Sequence, residues 1–149
     1  MTRAATKSLT IVSLLLALLL AGCGGGGELS QAEFKKKGNA ACQKFLDASR
    51  KIKEPQAIGD IPDYAEQAKP HFDTLIEDLN ELEPPKKFEA DYKKLVDSAE
   101  TARDRLSDVQ KAAKAKDEPR LQELATEAGK ADKASDELAG KVGLTACAQ

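Results

Sequence analysis

Between Phe88 and Ala113 the chain sets Phe88, Tyr92, Leu95, Ala99, Ala102, Leu106, Val109 and Ala113 at alternating steps of four and three. Those steps return to one face of an α-helix and to neither face of a strand. The stretch therefore predicts a long helix with an apolar seam, built to pack against neighbouring helices. A second seam follows at Leu121, Leu124, Ala128, Ala131, Ser135, Leu138 and Val142. Asp117-Glu118-Pro119 turns the chain between the two seams, with Asp117 placed to cap the later helix, and Gly143 supplies its stop.

Two earlier stretches carry the same periodicity. Leu29-Ser30-Gln31-Ala32-Glu33-Phe34 reads as a helix start: Ser30 as N-cap, Glu33 closing a capping box, Leu29 and Phe34 at the staple positions. This first helix is predicted to run to about Glu54, with Phe34, Ala41, Phe45 and Ile52 inward and Pro55 ending it. A second is predicted from Pro62 to Glu83 on Phe72, Leu75, Ile76, Leu79 and Leu82, with a kink or false start at Pro70. Pro84-Pro85 separates it from the long third helix. Four amphipathic helices with short connections pack most simply as an antiparallel up-down-up-down four-helix bundle, an all-α domain. A three-helix hairpin with a loose first segment is the structural alternative. The Ala-rich fourth seam predicts close approach of that helix and a dry, closed core shared with the third. Phe34, Phe88 and Tyr92 are expected to gather where the first and third helices begin.

The first 22 residues differ from the rest. They contain Arg3 and Lys7 but no carboxylate, and Thr10 to Ala21 is an almost unbroken apolar run. About 12 residues make a helix near 18 Å, short of a hydrocarbon core of about 30 Å but suited to the apolar part of a cleaved leader. The run ends in Leu20-Ala21-Gly22-Cys23, which resembles the lipobox of bacterial lipoproteins. The resemblance implies cleavage between Gly22 and Cys23 and a diacylglyceryl thioether on Cys23, with acylation of the new amine possible in the family. Small side chains at Ala21 and Gly22 suit entry of extended backbone into a peptidase cleft, and the thiol is the local nucleophile. Gly24 to Gly27 then form a flexible tether, because four glycines cannot hold a helix against their backbone entropy. The organisation predicted is a leader over 1–22, a lipidated Cys and tether over 23–28, and a helical domain over 29–149. Two or three acyl chains would hold such a domain at the cell membrane on its extracytoplasmic side.

Of 23 Lys and Arg against 25 Asp and Glu, two cations and no carboxylate fall in the leader, so the remainder carries a formal charge of −4. With aromatic residues at only 4%, no basic face or stacking platform is expected, and nucleic acid is excluded as a partner. Beyond Cys23 two cysteines remain, Cys42 and Cys147. An even pair in an exported domain predicts a disulfide, and an antiparallel bundle brings the chain end beside the first helix. Two thiols without a nearby His cannot complete a tetrahedral zinc site. The segment Leu79-Asn80-Glu81-Leu82-Glu83-Pro84-Pro85-Lys86-Lys87-Phe88, with Gly143-Leu144 and Cys147, resembles small helical actinobacterial lipoproteins of unassigned activity. That resemblance implies an exported helical domain with a bridged tail and adds no site.

No catalytic constellation emerges. His71 is the only histidine and lacks partners at helical metal-ligand spacing, so a surface or half-buried role is expected. Glu77, Asp78, Glu81 and Glu83 alternate with the apolar seam and read as a solvated outer face. Lys35-Lys36-Lys37, Lys86-Lys87 and Lys93-Lys94 fall at the tethered end, where each cation near anionic lipid is worth about 1 kcal/mol. Glu28, Glu33, Glu89 and Asp91 share that end, so the expected role of these lysines is solubility. No metal or other cofactor is expected. The leading expectation is a membrane-anchored, non-enzymatic interaction module of the cell envelope. It would use exposed helix faces around Asp117 to Arg120 to meet a protein or envelope partner. The alternative is a small-ligand or metal-binding lipoprotein serving a transporter or sensor. An apolar cavity with converging polar groups would favour the alternative, and a closed Ala/Leu core the first. On the lipobox reading, Cys23→Ser leaves uncleaved precursor or releases the protein, and abolishes partitioning into the detergent phase. Normal processing and membrane retention of that variant would refute it.

Overall fold

The computed structural model describes residues 28–148; Gly22, Cys23 and the glycine tether lie outside them. Four α-helices form: α1 (Gln31–Ser49), α2 (Ile61–Asn80), α3 (Glu89–Ala115) and α4 (Glu118–Val142). Single 3₁₀ turns cover Ile58–Asp60, Lys86–Phe88 and Thr145–Cys147. The described chain is all-helical, and α1 packs on α2, α2 on α3 and α3 on α4 in series.

Several helix ends follow their expected chemistry. Ser30 and Glu33 make the capping box, and Ser30 holds the Glu33 carboxyl below its ordinary range through a side-chain hydrogen bond. The Asp117 carboxylate accepts from the Arg120 N–H at 3.0 Å, with Pro119 in the first turn of α4. Gly143 is left-handed at φ 79°, and Leu144 N–H donates back to the Ala139 carbonyl at 2.8 Å. This double-bonded stop satisfies carbonyls that the helix end would otherwise leave open. The same stop closes α3 on Lys116 at φ 54°, a conformation that glycine adopts with less strain.

Two boundaries differ from expectation. α1 ends at Ser49, not near Glu54, because Lys51 and Ile52 bond three residues back instead of four. That tighter turn carries Ile52 inward, so it is buried as expected although it is no longer helical. α2 begins one residue before Pro62, which lies in its first turn, and stops at Asn80. It passes through Pro70 as one element, without a false start. Pro70 is exposed, and the Thr74 hydroxyl donates to its carbonyl at 2.9 Å. The ring therefore meets water, and the missing N–H costs the helix one bond on its solvated side.

Phe34, Ala41, Cys42, Leu75, Leu79, Tyr92, Leu95, Val96, Ala139, Val142 and Leu144 make one buried cluster at the end where the described chain begins. Phe34 lies 5.9 Å from the Phe88 ring and 5.0 Å, edge-on, from Tyr92. The Tyr92 hydroxyl donates to the Leu79 carbonyl at 2.6 Å, and burial pushes its pKa up. Glu28 accepts from Lys86 N–H at 2.8 Å and Leu29 N–H donates to the Glu83 carbonyl at 3.2 Å, so the chain enters beside the α2–α3 turn.

The fourth side of this bundle is closed by the tail. The Thr145–Cys147 turn packs against both α1 and α4, which otherwise barely meet. Cys42 and Cys147 form a disulfide with Cα atoms 5.1 Å apart. It closes a loop over a sequence separation of 105, for which chain entropy sets an upper figure of about 4.7 kcal/mol. Leu144 is fully buried over Gly38, where an added methyl group would meet its side chain at 2.6 Å. Asn39 donates to the Gly143 carbonyl at 3.3 Å and accepts from Ala146 N–H at 2.7 Å. Leu144→Ala empties a closed site and should cost about 2–5 kcal/mol, read by chemical denaturation with the disulfide intact. A cost under about 0.5 kcal/mol would show that the tail does not close the bundle.

Candidate functional cleft

α1 has 19 residues and α3 has 27, lengths of about 28 and 40 Å. Beyond Ser49 the bundle therefore has three helices and a connecting loop. The middle of the α3 seam is left half-buried there: Ala99, Ala102, Leu106 and Val109 on α3, with Leu121 and Ala128 opposite on α4. The dry, closed core expected along α3 and α4 does not form over this stretch. In its place lies a cleft of about 850 Å³. Small side chains draw helices together only where nothing else sets their separation. Here the buried tail stands between α1 and α4 at one end, and the tight Lys116–Asp117 turn ties α4 to α3 at the other. Ala102, Ala125 and Ala128 thus line a space that no neighbour fills.

All four helices contribute to the walls. Phe45 and Ser49 come from α1, Ile61, Tyr64 and Phe72 from α2, Arg105, Leu106 and Val109 from α3, and Leu121, Gln122 and Leu124 from α4. Ile58 closes one corner from the loop, whose turn is held by Asp60 accepting from Gln56 and Ala57 N–H, both at 3.0 Å. Phe45 and Phe72 meet edge-on with ring centres 4.7 Å apart. They border both this cleft and a smaller hollow of about 180 Å³ that runs toward the Cys42–Cys147 bridge. At the floor of the hollow the Ser135 hydroxyl donates to Ser98 at 3.0 Å, and Ser98 donates to the Leu95 carbonyl at 2.7 Å. Polar groups along the cleft are Tyr64, Arg105 and Gln122, with Glu118 and Asp132 on α4. A volume within roughly 300–1,000 Å³, an apolar lining and a few polar groups define the general form of a small-molecule site.

The other residues singled out in the sequence lie elsewhere. His71 is half-buried in a small hollow between α1 and α2, beside Lys44, Thr74 and Asp78, outside the cleft. Of the acidic run, Glu77, Glu81 and Glu83 are exposed, and Asp78 pairs with Lys44 at 2.7 Å. Lys36, Lys37, Lys86, Lys87, Lys93 and Lys94 are exposed, whereas the Lys35 stem covers Gly143. Among the described residues no group of three His, Cys, Asp or Glu stands close enough to hold a metal ion. No described helix is long and apolar enough to cross a membrane. Comparison with protein-family models, with curated proteins and with solved structures returns no match.

Sequence periodicity missed the cleft because Leu106, Val109 and Leu121 look the same whether a partner covers them or not. The expected run of the first helix to about Glu54 hid the early stop at Ser49 that leaves this side open. If the cleft is open as described, truncations separate by position. Leu79→Ala, in the closed half and 1% exposed, should cost about 2–5 kcal/mol. Leu106→Ala, half-exposed in the cleft wall, should cost under about 1.5 kcal/mol. Equal costs in urea denaturation would mean that the cleft is closed in solution.

Proposed function

We propose that the chain is an extracytoplasmic lipoprotein, held to the cell membrane through lipid on Cys23, whose helical domain binds a small apolar ligand without catalysis. The reading of the anchor rests on the leader and on Leu20-Ala21-Gly22-Cys23. The reading of the domain rests on one observation, the apolar cleft of about 850 Å³ walled by all four helices. A helix-face interaction module needs no such space, and filling it would add stability. The cleft favours a ligand-binding lipoprotein serving a transporter or sensor over the helix-face interaction module.

A cleft with these walls favours ligands through removal of apolar surface from water, about 25 cal/mol per Å². Polar groups few enough to count would set orientation more than affinity. Residues 28–148 carry the whole described core, so the domain from Glu28 onward, exported with a cleavable leader to form its disulfide, is the material for testing. The uncharged dye N-phenyl-1-naphthylamine should gain fluorescence on binding it. Ala128→Phe, which fills the cleft from α4, should weaken that binding at least tenfold while helix content and melting temperature hold or rise. No dye binding to the unmodified domain, or unchanged binding to Ala128→Phe, would overturn the small-ligand reading.

A further inference from the structure

Arg105 is set apart from the other described arginines. Arg50 pairs with Asp47, Arg103 with Asp73 and Asp104, and Arg120 with Glu123. Arg105 holds no carboxylate among the described residues. The two carboxylates nearest to it along α3 are engaged elsewhere, Asp104 with Arg103 at 3.1 Å and Asp108 with Lys111 at 3.3 Å. Arg105 is nevertheless half-buried, and among the described residues it is the only cationic side chain lining the large cleft. A guanidinium drawn partly out of water without a partner gives up hydration and gains no counter-charge, so an anion brought to it is strongly favoured.

Its surroundings define the rest of the ligand. The Ser135–Ser98 hydrogen bond fixes the register of α4 on α3, and two turns along it Arg105 stands opposite Ala128. From Ala128 the cleft runs on toward Leu121 and Glu118, about 15 Å along the helix axis. Its walls on that side are Leu106, Val109, Leu121 and Leu124 of α3 and α4, with Ile58 and Ile61 across from them. In the opposite direction the cleft narrows into the smaller hollow of about 180 Å³, whose lining of Phe45, Phe72, Leu75 and Leu95 is interrupted by Ser98, Asp132, Ser135 and Asp136. A long apolar space on one side of a lone cation suits a chain carrying its charge at one end. Asp132 and Glu118 also border the cleft, so one cation faces two carboxylates. The lining thus carries a net charge of −1, so an anion is favoured only at Arg105 itself, and a head with a second negative charge is disfavoured.

We infer that the cleft takes a single-chain amphiphile, its one anionic head on Arg105 and its tail laid between α3, α4 and the start of α2. This inference rests on the small-ligand reading above. The test measures displacement of N-phenyl-1-naphthylamine from the domain by dodecanoate, dodecanol and dodecyltrimethylammonium, the ions kept below their micelle concentrations and the alcohol below its solubility limit. Dodecanoate should displace the dye at about tenfold lower concentration than dodecanol, the scale of one charge-assisted hydrogen bond. The dodecyltrimethylammonium ion should be the weakest. Arg105→Gln should bring the acid down to the alcohol's level, each read against that variant's own dye affinity, with Arg105→Lys restoring part of the preference. Dye binding with equal displacement by acid and alcohol, a preference for the cation, or an unaltered acid preference in Arg105→Gln would overturn the inference and leave the cleft reading standing. Absence of dye binding to the unmodified domain would overturn both.

Discussion

The placement of Leu144 between α1 and α4 governs the remainder of this structure. Three helix pairs in series, α1–α2, α2–α3 and α3–α4, describe an arc whose ends need not meet. The tail closes it. Leu144 is fully buried over Gly38, Asn39 bonds the backbone on both sides of it, and Cys147 is bridged to Cys42. Burying a leucine contributes roughly 1.5–3 kcal/mol. The bridge and the two Asn39 hydrogen bonds act on the same short segment, so their effects are coupled and do not add simply.

This closure operates at one end only. The tail stops at the level of Cys42, about three turns along α1, and α1 itself stops at Ser49. Farther along, α4 leaves the bundle's fourth side open, and the cleft is the volume that results. A chain shaped for stability alone would use larger side chains at Ala125 and Ala128 to cover Leu106, Val109 and Leu121. Leaving these apolar groups half-exposed forgoes roughly a kcal/mol apiece. Local departures of this kind, in a chain whose caps and seams otherwise agree with its fold, concentrate where function is carried.

The sequence made some of this legible and hid the rest for definite reasons. The four-and-three spacing from Phe88 to Ala113 identifies one helix and its inner face, because the period is a property of that helix alone. The Ser30–Glu33 capping box and the Gly143 stop are equally local, and they form as read. The Cys42–Cys147 bridge was accessible because oxidation and antiparallel topology leave few other arrangements for two cysteines. Gly38 and Asn39 were opaque. Inside a helix, glycine reads as a cost of about 1 kcal/mol relative to Ala, and only the presence of Leu144 above it gives it a purpose. The alanines of the fourth seam were ambiguous in the same way. A small side chain permits close approach or leaves a space, and the choice belongs to whatever spaces the helices.

The position of the cleft relative to the chain's entry has a further consequence for the proposed anchoring. The described chain enters at Glu28, bonded to the α2–α3 turn, and the closed core occupies that end. Leu121, in the cleft wall, lies 21 residues before Val142 along α4, about 32 Å by helical rise. With the lipid on Cys23, the closed core lies next to the anchor, and the cleft occupies the half of the domain away from it. The disulfide lies on the path between the two ends, lining the small hollow that continues the cleft toward the core. The bond that closes the bundle thereby also sets where the cleft and its hollow stop.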